Sequence, residues 1–414
     1  MRKTMRQAAM AMALVLGAVF CAGCGSRDSG QEQTTESAGT EASVQESTEG
    51  ETAQTEAGTG QEEGDAMEED YDGRLVYDSS MELQYVKGFS VDYYKGGYKL
   101  ISIIDGTKLL IVPEGMSVPE DTEDDTIVLQ QPVENILVSS TPTTSLINAV
   151  GALDAISLTT YDMDSWYIDS VKEALENGSM QYIGNYNEPD YEMITASGTD
   201  FAIFSAMLTE DVAAQLEQLG VRVMLDRAAE EEHPLARVEW MKLYGAMFNL
   251  EEKAEELVNE QIAYVDEIAS KEATGKSVAI FYITSKGALY ARNADDYMAK
   301  MVDLAGGEYI LSDVGVGESG TINMEMEAFY DAAKDADYII YIWSLGGRPE
   351  TLADFLERSE ILADMKAVQE GNVWCTTPDF FQISNTLGSM INDMNLMLNA
   401  DETTDTLTYL FKLQ

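Results

Sequence analysis

The chain has 414 residues, 74 of them Asp or Glu and 25 Lys or Arg, for a formal net charge of −49. Charge of that sign and size excludes nucleic acid and anionic lipid headgroups as electrostatically held partners, and it argues against a broadly basic pocket for a highly anionic ligand. One His and three Cys exclude a histidine-rich metal site and leave little scope for acid–base catalysis near pH 7.

The first element is a leader. Arg2, Lys3 and Arg6 make a positive start, and Ala8 to Phe20 an apolar run too short for a membrane span of roughly 20 residues. Cys21 and Cys24 close the run. A redox or zinc pair is not expected from them, since only Cys375 and His233 remain to complete a site. Cys21-Ala22-Gly23-Cys24 resembles the lipobox of bacterial lipoproteins, with Cys21 where that pattern has Leu. The resemblance implies a signal peptide over residues 1–23 and lipid attachment at Cys24; a secreted protein with a spare thiol is the alternative. Lipid contributes about 0.8 kcal/mol per buried methylene, so the expectation is a body held at the extracytoplasmic face of the cell membrane by lipid alone.

Residues 24–70 read as a disordered tether: Asp28 to Asp70 holds 14 acidic residues, no Lys or Arg and few large apolar groups. Residues 71–128 begin the globular part. Within them YKLISIIDGTKLLIVPEG reads as a β-hairpin closed by a type I′ turn at Asp105-Gly106.

Short apolar strands and amphipathic helices then alternate. Over residues 129–249 strands are expected at ENILVSS, AISLTTY, Phe201 to Ser205 and VRVMLD, and helices after Pro142, at Ser170 to Asn177 and at Glu210 to Leu219. Over 272–414 the strands SVAIFYI, YIIYIW and NVWCTT alternate with helices in DDYMAKMVDLAGG and MEAFYDAAKD, and a last helix runs from Ser384 to Leu398. Between them, residues 250–271 space Leu250, Ala254, Leu257, Val258, Ile262, Val265 and Ile268 for one uninterrupted helix. The fold class expected is therefore α/β: two Rossmann-like three-layer lobes joined by a single long helix, with an N-terminal β-hairpin extension.

The stretches EEHPLARVEWMKLYGAM, RNADDYMAKMVDLAGGEYIL and EMEAFYDAAKDADYIIYIW, in that order, resemble the substrate-binding lipoproteins of ABC importers, specifically those serving ferric siderophores, haem and cobalamin, in the form found in Gram-positive anaerobes. The likeness covers the body from Val76 onward. It implies a monomer with no cofactor of its own that holds a small-molecule metal chelate, a ferric siderophore foremost, in a shallow cleft between lobes whose helical link permits little closure. It also implies docking onto a permease dimer through one surface carboxylate per lobe, placed by matching phrases at Glu192 and at Glu327, with Glu325 as the neighbouring alternative. Solvated glutamates at helix starts are the plainer reading of both.

Open α/β sheets bind ligands at the carboxyl ends of their strands. Those ends carry Ser139, Ser140, Thr141, Tyr161, Trp166, Tyr167 and Tyr186 in the first lobe. In the second they carry Arg292, Tyr297, Trp343 and Phe380 with Phe381. Aromatic groups suit a large, partly flat ligand; core or rim packing is the alternative for each. Arg292 has an ion pair with Asp295 or Asp296 as its alternative. Arg237 is placed either in the cleft or against Glu239. His233, before Pro234, reads as a helix cap, with an axial metal contact as its alternative. GVGESG (Gly315 to Gly320) matches GxGxxG but lacks the strand and helix a dinucleotide site needs, and reads as a loop.

No nucleophile elbow, HExxH, P-loop or Ser/His/Asp set is present, so a binding protein rather than an enzyme is expected. A haem or cobalamin receptor of the same fold is the first alternative, and a lipid-anchored surface hydrolase the second.

Overall fold

The computed structural model describes residues 73–343, 348–399 and 406–414. The leader, Cys24 and the acidic tether lie outside the described residues.

The N-terminal extension is larger than a hairpin. Strands β1 (Tyr77–Ser80), β2 (Phe89–Tyr94), β3 (Lys99–Ile103), β4 (Lys108–Val112) and β5 (Ile127–Gln130) form one sheet in that order, antiparallel except for the parallel β4–β5 pair. The hairpin β3–β4 is present, but its turn is not type I′. That type needs positive φ at both central residues, and here only Gly106 has it, at +94°. Ile103 N and Thr107 O close a three-residue loop at 2.8 Å, with Gly106 N donating to Ile103 O at 2.9 Å. Asp105 is engaged elsewhere, paired with Arg227 at 3.1 Å.

Buried charge fastens this sheet to residues 231–251. The fully buried Glu239 accepts from the backbone N–H groups of Gln84, Tyr85 and Val86 at 2.7–2.8 Å. Glu231 accepts from Lys87 and Gly88. The Lys99 ammonium donates to Ala246 O and Asn249 Oδ1 and pairs with Glu251. Each charge thus leaves water only with its hydrogen-bond capacity taken up.

In the first lobe, β6 (Ile136–Ser139), β7 (Ile156–Thr159) and β8 (Gln181–Tyr182) are followed by a small antiparallel pair, β9 (Gly184–Asn185) with β10 (Glu188–Pro189). Then come β11 (Phe201–Phe204) and β12 (Arg222–Leu225). The main sheet is parallel, in the order β12-β11-β6-β7-β8. Its strands are apolar on both faces: Ile136, Val138 and Ile203 belong to one core, and Leu137, Ala202 and Phe204 to another, as a sheet covered on both sides requires. The helices are α1 (Thr141–Val150), α2 (Asp169–Asn177), α3 (Tyr191–Ser197), α4 (Glu210–Gln218), α5 (Pro234–Glu239) and α6 (Met241–Phe248). Helix α1 starts where Ser140 accepts from Thr143 N with Pro142 in the first turn, and stops at Gly151, φ +95°.

The connecting helix, α7 (Glu251–Ala269), has 19 residues, a rod of about 28 Å. Beyond it lie β13 (Ser277–Ile283), β14 (Leu289–Arg292), α8 (Tyr297–Leu304), β15 (Glu308–Tyr309), β16 (Thr321–Met324), α9 (Met326–Ala333) and β17 (Tyr338–Tyr341). They are followed by α10 (Leu352–Leu356), α11 (Lys366–Gln369), β18 (Val373–Thr376), α12 (Leu387–Leu398) and β19 (Leu410–Lys412). This sheet is mixed: β15, β17 and β18 run parallel with their neighbours around β13, while β14, β16 and β19 are antiparallel additions. Helix α7 turns Ala254, Val258, Ile262, Val265 and Ile268 inward and packs between α6 of the first lobe and α12 of the second. The result is the two-lobed α/β architecture, each lobe built on its own central sheet.

Candidate functional site

Five parallel strands, β6 and β7 of one lobe and β13, β17 and β18 of the other, end at a common cavity of about 920 Å³. Thr141 lies just past β6, and Tyr161, Asp164, Ser165 and Tyr167 follow β7. From the other side come Thr284 after β13, Trp343 after β17, and Phe381 and Gln382 after β18. Gln382 joins the walls: its Oε1 accepts from Tyr167 N at 2.9 Å and its Nε2 donates to Ser165 O at 2.6 Å. Tyr167 meets Trp343 edge to face with ring centres 5.5 Å apart.

Tyr282 and Tyr290 add a second aromatic wall. They are register partners on β13 and β14, stacked at 5.3 Å and 11°. Arg292, at the end of β14, directs Nε to Asp296 Oδ1 at 3.0 Å, with the two side chains 10% and 2% exposed. Asp296 is fixed in turn as the N-cap of α8 and as acceptor for Gly320 N. The Tyr161 hydroxyl is pushed above its ordinary pKa by burial and by the Tyr186 hydroxyl nearby.

Of the expected contacts, Tyr161, Tyr167, Arg292 and Trp343 line this cavity, with Thr141 and Phe381 beside them. The others do not. Trp166, 1% exposed, belongs to the core and donates from Nε1 to Tyr161 O, so it braces a wall residue. Phe380 is likewise core at 2% exposure, whereas Phe381 is 40% exposed. Tyr186 sits in the turn between β9 and β10, off the wall. Tyr297 is buried, with the Arg237 guanidinium over its ring at 3.8 Å. Arg237 reaches neither the cavity nor Glu239; it donates to Glu231 O and Ala229 O, ending the loop before α5. Ser139 bonds with the Thr160 hydroxyl, and Ser140 is committed to its cap.

The residues the sequence reading lacked are chiefly Tyr282, Tyr290, Asp164 and Gln382. Tyr282 had a signal: within SVAIFYI only Ser277 and Tyr282 are less than fully buried, and a tyrosine in an apolar strand marks a face that meets something polar.

His233 is turned elsewhere. It caps α5 by accepting from Leu235 N on Nδ1 and stacks on Tyr85 at 4.7 Å. The cavity it borders is a separate one of about 400 Å³. Among the described residues no three His, Cys, Asp or Glu side chains are grouped to hold a metal ion. Gly315, Gly317 and Gly320 all have positive φ in a loop between β15 and β16, a geometry with no helix opening inside it.

Glu192 and Glu327 are exposed, each the second residue of a helix, α3 and α9, that leads into an inner strand of its sheet, β11 and β17. Glu325 is the N-cap of α9, without a side-chain capping bond.

Residues 136–380 match the profile of a family described as periplasmic binding protein. Two uncharacterized lipoproteins of Methanocaldococcus jannaschii are each 24% identical to the chain. One is aligned over 326 residues (75% of this chain, 77% of the relative), the other over 313 (72% and 78%). A periplasmic heme binding protein from Pseudomonas aeruginosa superposes with a TM-score of 0.53 at 15% identity, covering 68% of this chain and 98% of the other. An ABC-type Fe3+-hydroxamate transport system structure from Saccharomonospora viridis gives 0.51 at 19%, covering 65% and 94%. These structures share the fold. The N-terminal sheet, β1 to β5, precedes the residues matched to the family.

Proposed function

The chain belongs to the periplasmic binding protein family, and from that premise we propose that it captures a metal chelate, a ferric siderophore foremost, between its lobes and delivers it to the permease dimer of an ABC importer. The observation that carries this reading is the cavity between the lobes, walled by Tyr161, Tyr167, Tyr282, Tyr290, Trp343 and Phe381. Rigid rings on strand ends supply contact area at little entropic cost, and hydroxyls and amides at the margins orient what they hold. The wall carries no His or Cys and a single carboxylate, Asp164, a poor set for acid–base or nucleophilic chemistry. Binding proteins of this fold described with heme and with Fe3+-hydroxamate support a metal chelate as the class.

In this reading Cys24 carries the lipid, the protein works as a monomer at the extracytoplasmic face of the membrane, and Glu192 and Glu327 meet the permease. Native mass spectrometry of the full chain with ferrichrome, haem and cobalamin tests it. A one-to-one complex with at least one of them is expected, and failure to bind any of the three overturns it.

A further inference from the structure

The cavity wall holds one cation and one anion. Arg292 is the cation, and its charge is already matched by Asp296 at 3.0 Å. Asp164 is the anion, exposed and without an ion pair among the described residues. Two lysines stand nearby but off the wall: Lys172, 5.9 Å from the Tyr167 ring, and Lys286 in the loop after β13. Arg348 lies over the Phe411 ring at 4.4 Å, on β19.

A polyanionic chelate leaving water for this cavity would therefore meet no unpaired cation on its described wall, and uncompensated burial of charge is costly. The six aromatic residues reinforce the sign, because the face of an aromatic ring is electronegative and attracts cations. We infer that the cavity selects chelates of zero or positive net charge and rejects polyanionic ones, with Asp164 as a specificity-determining carboxylate. The inference rests on the chelate reading of this cavity and narrows it.

The test is titration of the full chain, with quenching of its intrinsic tryptophan fluorescence as the readout, against four probes: cationic ferrioxamine B, uncharged ferrichrome, a trianionic ferric tricatecholate, and haem with its two propionates. Ferrioxamine B or ferrichrome should bind at least about tenfold tighter than the tricatecholate and haem. Asp164→Lys, at an exposed position whose folding is checked by circular dichroism, should raise the tricatecholate-to-ferrichrome affinity ratio by about tenfold. A wild-type protein that prefers the tricatecholate or haem overturns the charge selection while leaving chelate binding intact. An unchanged ratio in Asp164→Lys overturns the role of Asp164. If none of the four probes binds, the chelate reading itself falls and takes the inference with it.

Discussion

His233 carries the only imidazole of the chain, and its cap depends on protonation, because Nδ1 accepts from Leu235 N only while that nitrogen keeps its lone pair. Burial, then Lys300 and Lys87, hold its pKa below the usual 6.5. Between the lowered folded value and the unfolded one, the unfolded chain binds more protons. The contribution of His233 is thus complete above about pH 6.5 and is lost as pH falls through the folded value. His233→Asn keeps a cap whose side-chain oxygen does not titrate in this range. Its melting temperature should fall less than the wild type's between pH 7 and pH 5, and parallel falls would show that the imidazole does not titrate as described. Loops hid comparable detail from the sequence. Trp166 and Tyr167 are adjacent, as are Phe380 and Phe381, and the pattern could not say which member of each pair faces inward. Long-range bonds decide it: Gln382, 215 positions away, takes Tyr167 N and sets that loop's direction.

Helix α7 was legible because its apolar residues recur at helical spacing without a break, a signal internal to the element. What it packs on was not. Gly388 in α12 lies so close to α7 that a Cβ there would stand 2.1 Å from Gln261 O, and a Cβ on Gly245 in α6 would meet Ala254 at 2.6 Å. These two glycines let α6 and α12 approach α7 from either lobe, and in the sequence they look like ordinary helix glycines. Gly388→Ala should lower stability by about 1–3 kcal/mol despite alanine's better helix propensity, since the obstructing atoms are backbone and cannot swing aside. Chemical denaturation measures it; an unchanged or raised midpoint would mean that the helices do not cross so tightly. The N-terminal sheet was legible only as β3–β4, where two apolar runs flank a turn. Strand β1 is exposed at all four residues and β5 has four residues in all, too little pattern to register until neighbouring strands supply the pairing.

At the scale of the whole molecule, the acidic surface makes any one carboxylate inconspicuous, and position must do the distinguishing. Glu192 and Glu327 stand at the same place in their helices, second residue of the first turn, and each helix leads into an inner strand. Glu325 stands at the cap of α9, the position Asp190 holds in α3, while Glu327 occupies the position of Glu192 itself; on that match we take Glu327 as the partner of Glu192 in the proposed docking. Neither glutamate lies on the cavity wall. Charge reversal at these exposed sites should therefore leave chelate affinity in solution within about twofold of wild type. Against a permease arginine the same change replaces a charge-assisted pair with two like charges, where loss of a correct pair costs about 2–5 kcal/mol when partly buried. Uptake by cells carrying Glu192→Arg or Glu327→Arg should fall at least about tenfold, and the double variant should be no better. Glu325→Arg separates the two acidic candidates of the second lobe, because it should retain most uptake if Glu327 docks. Normal uptake by the double variant would remove both residues from the interface. A loss of chelate binding with the fold unchanged would place them in capture instead of delivery.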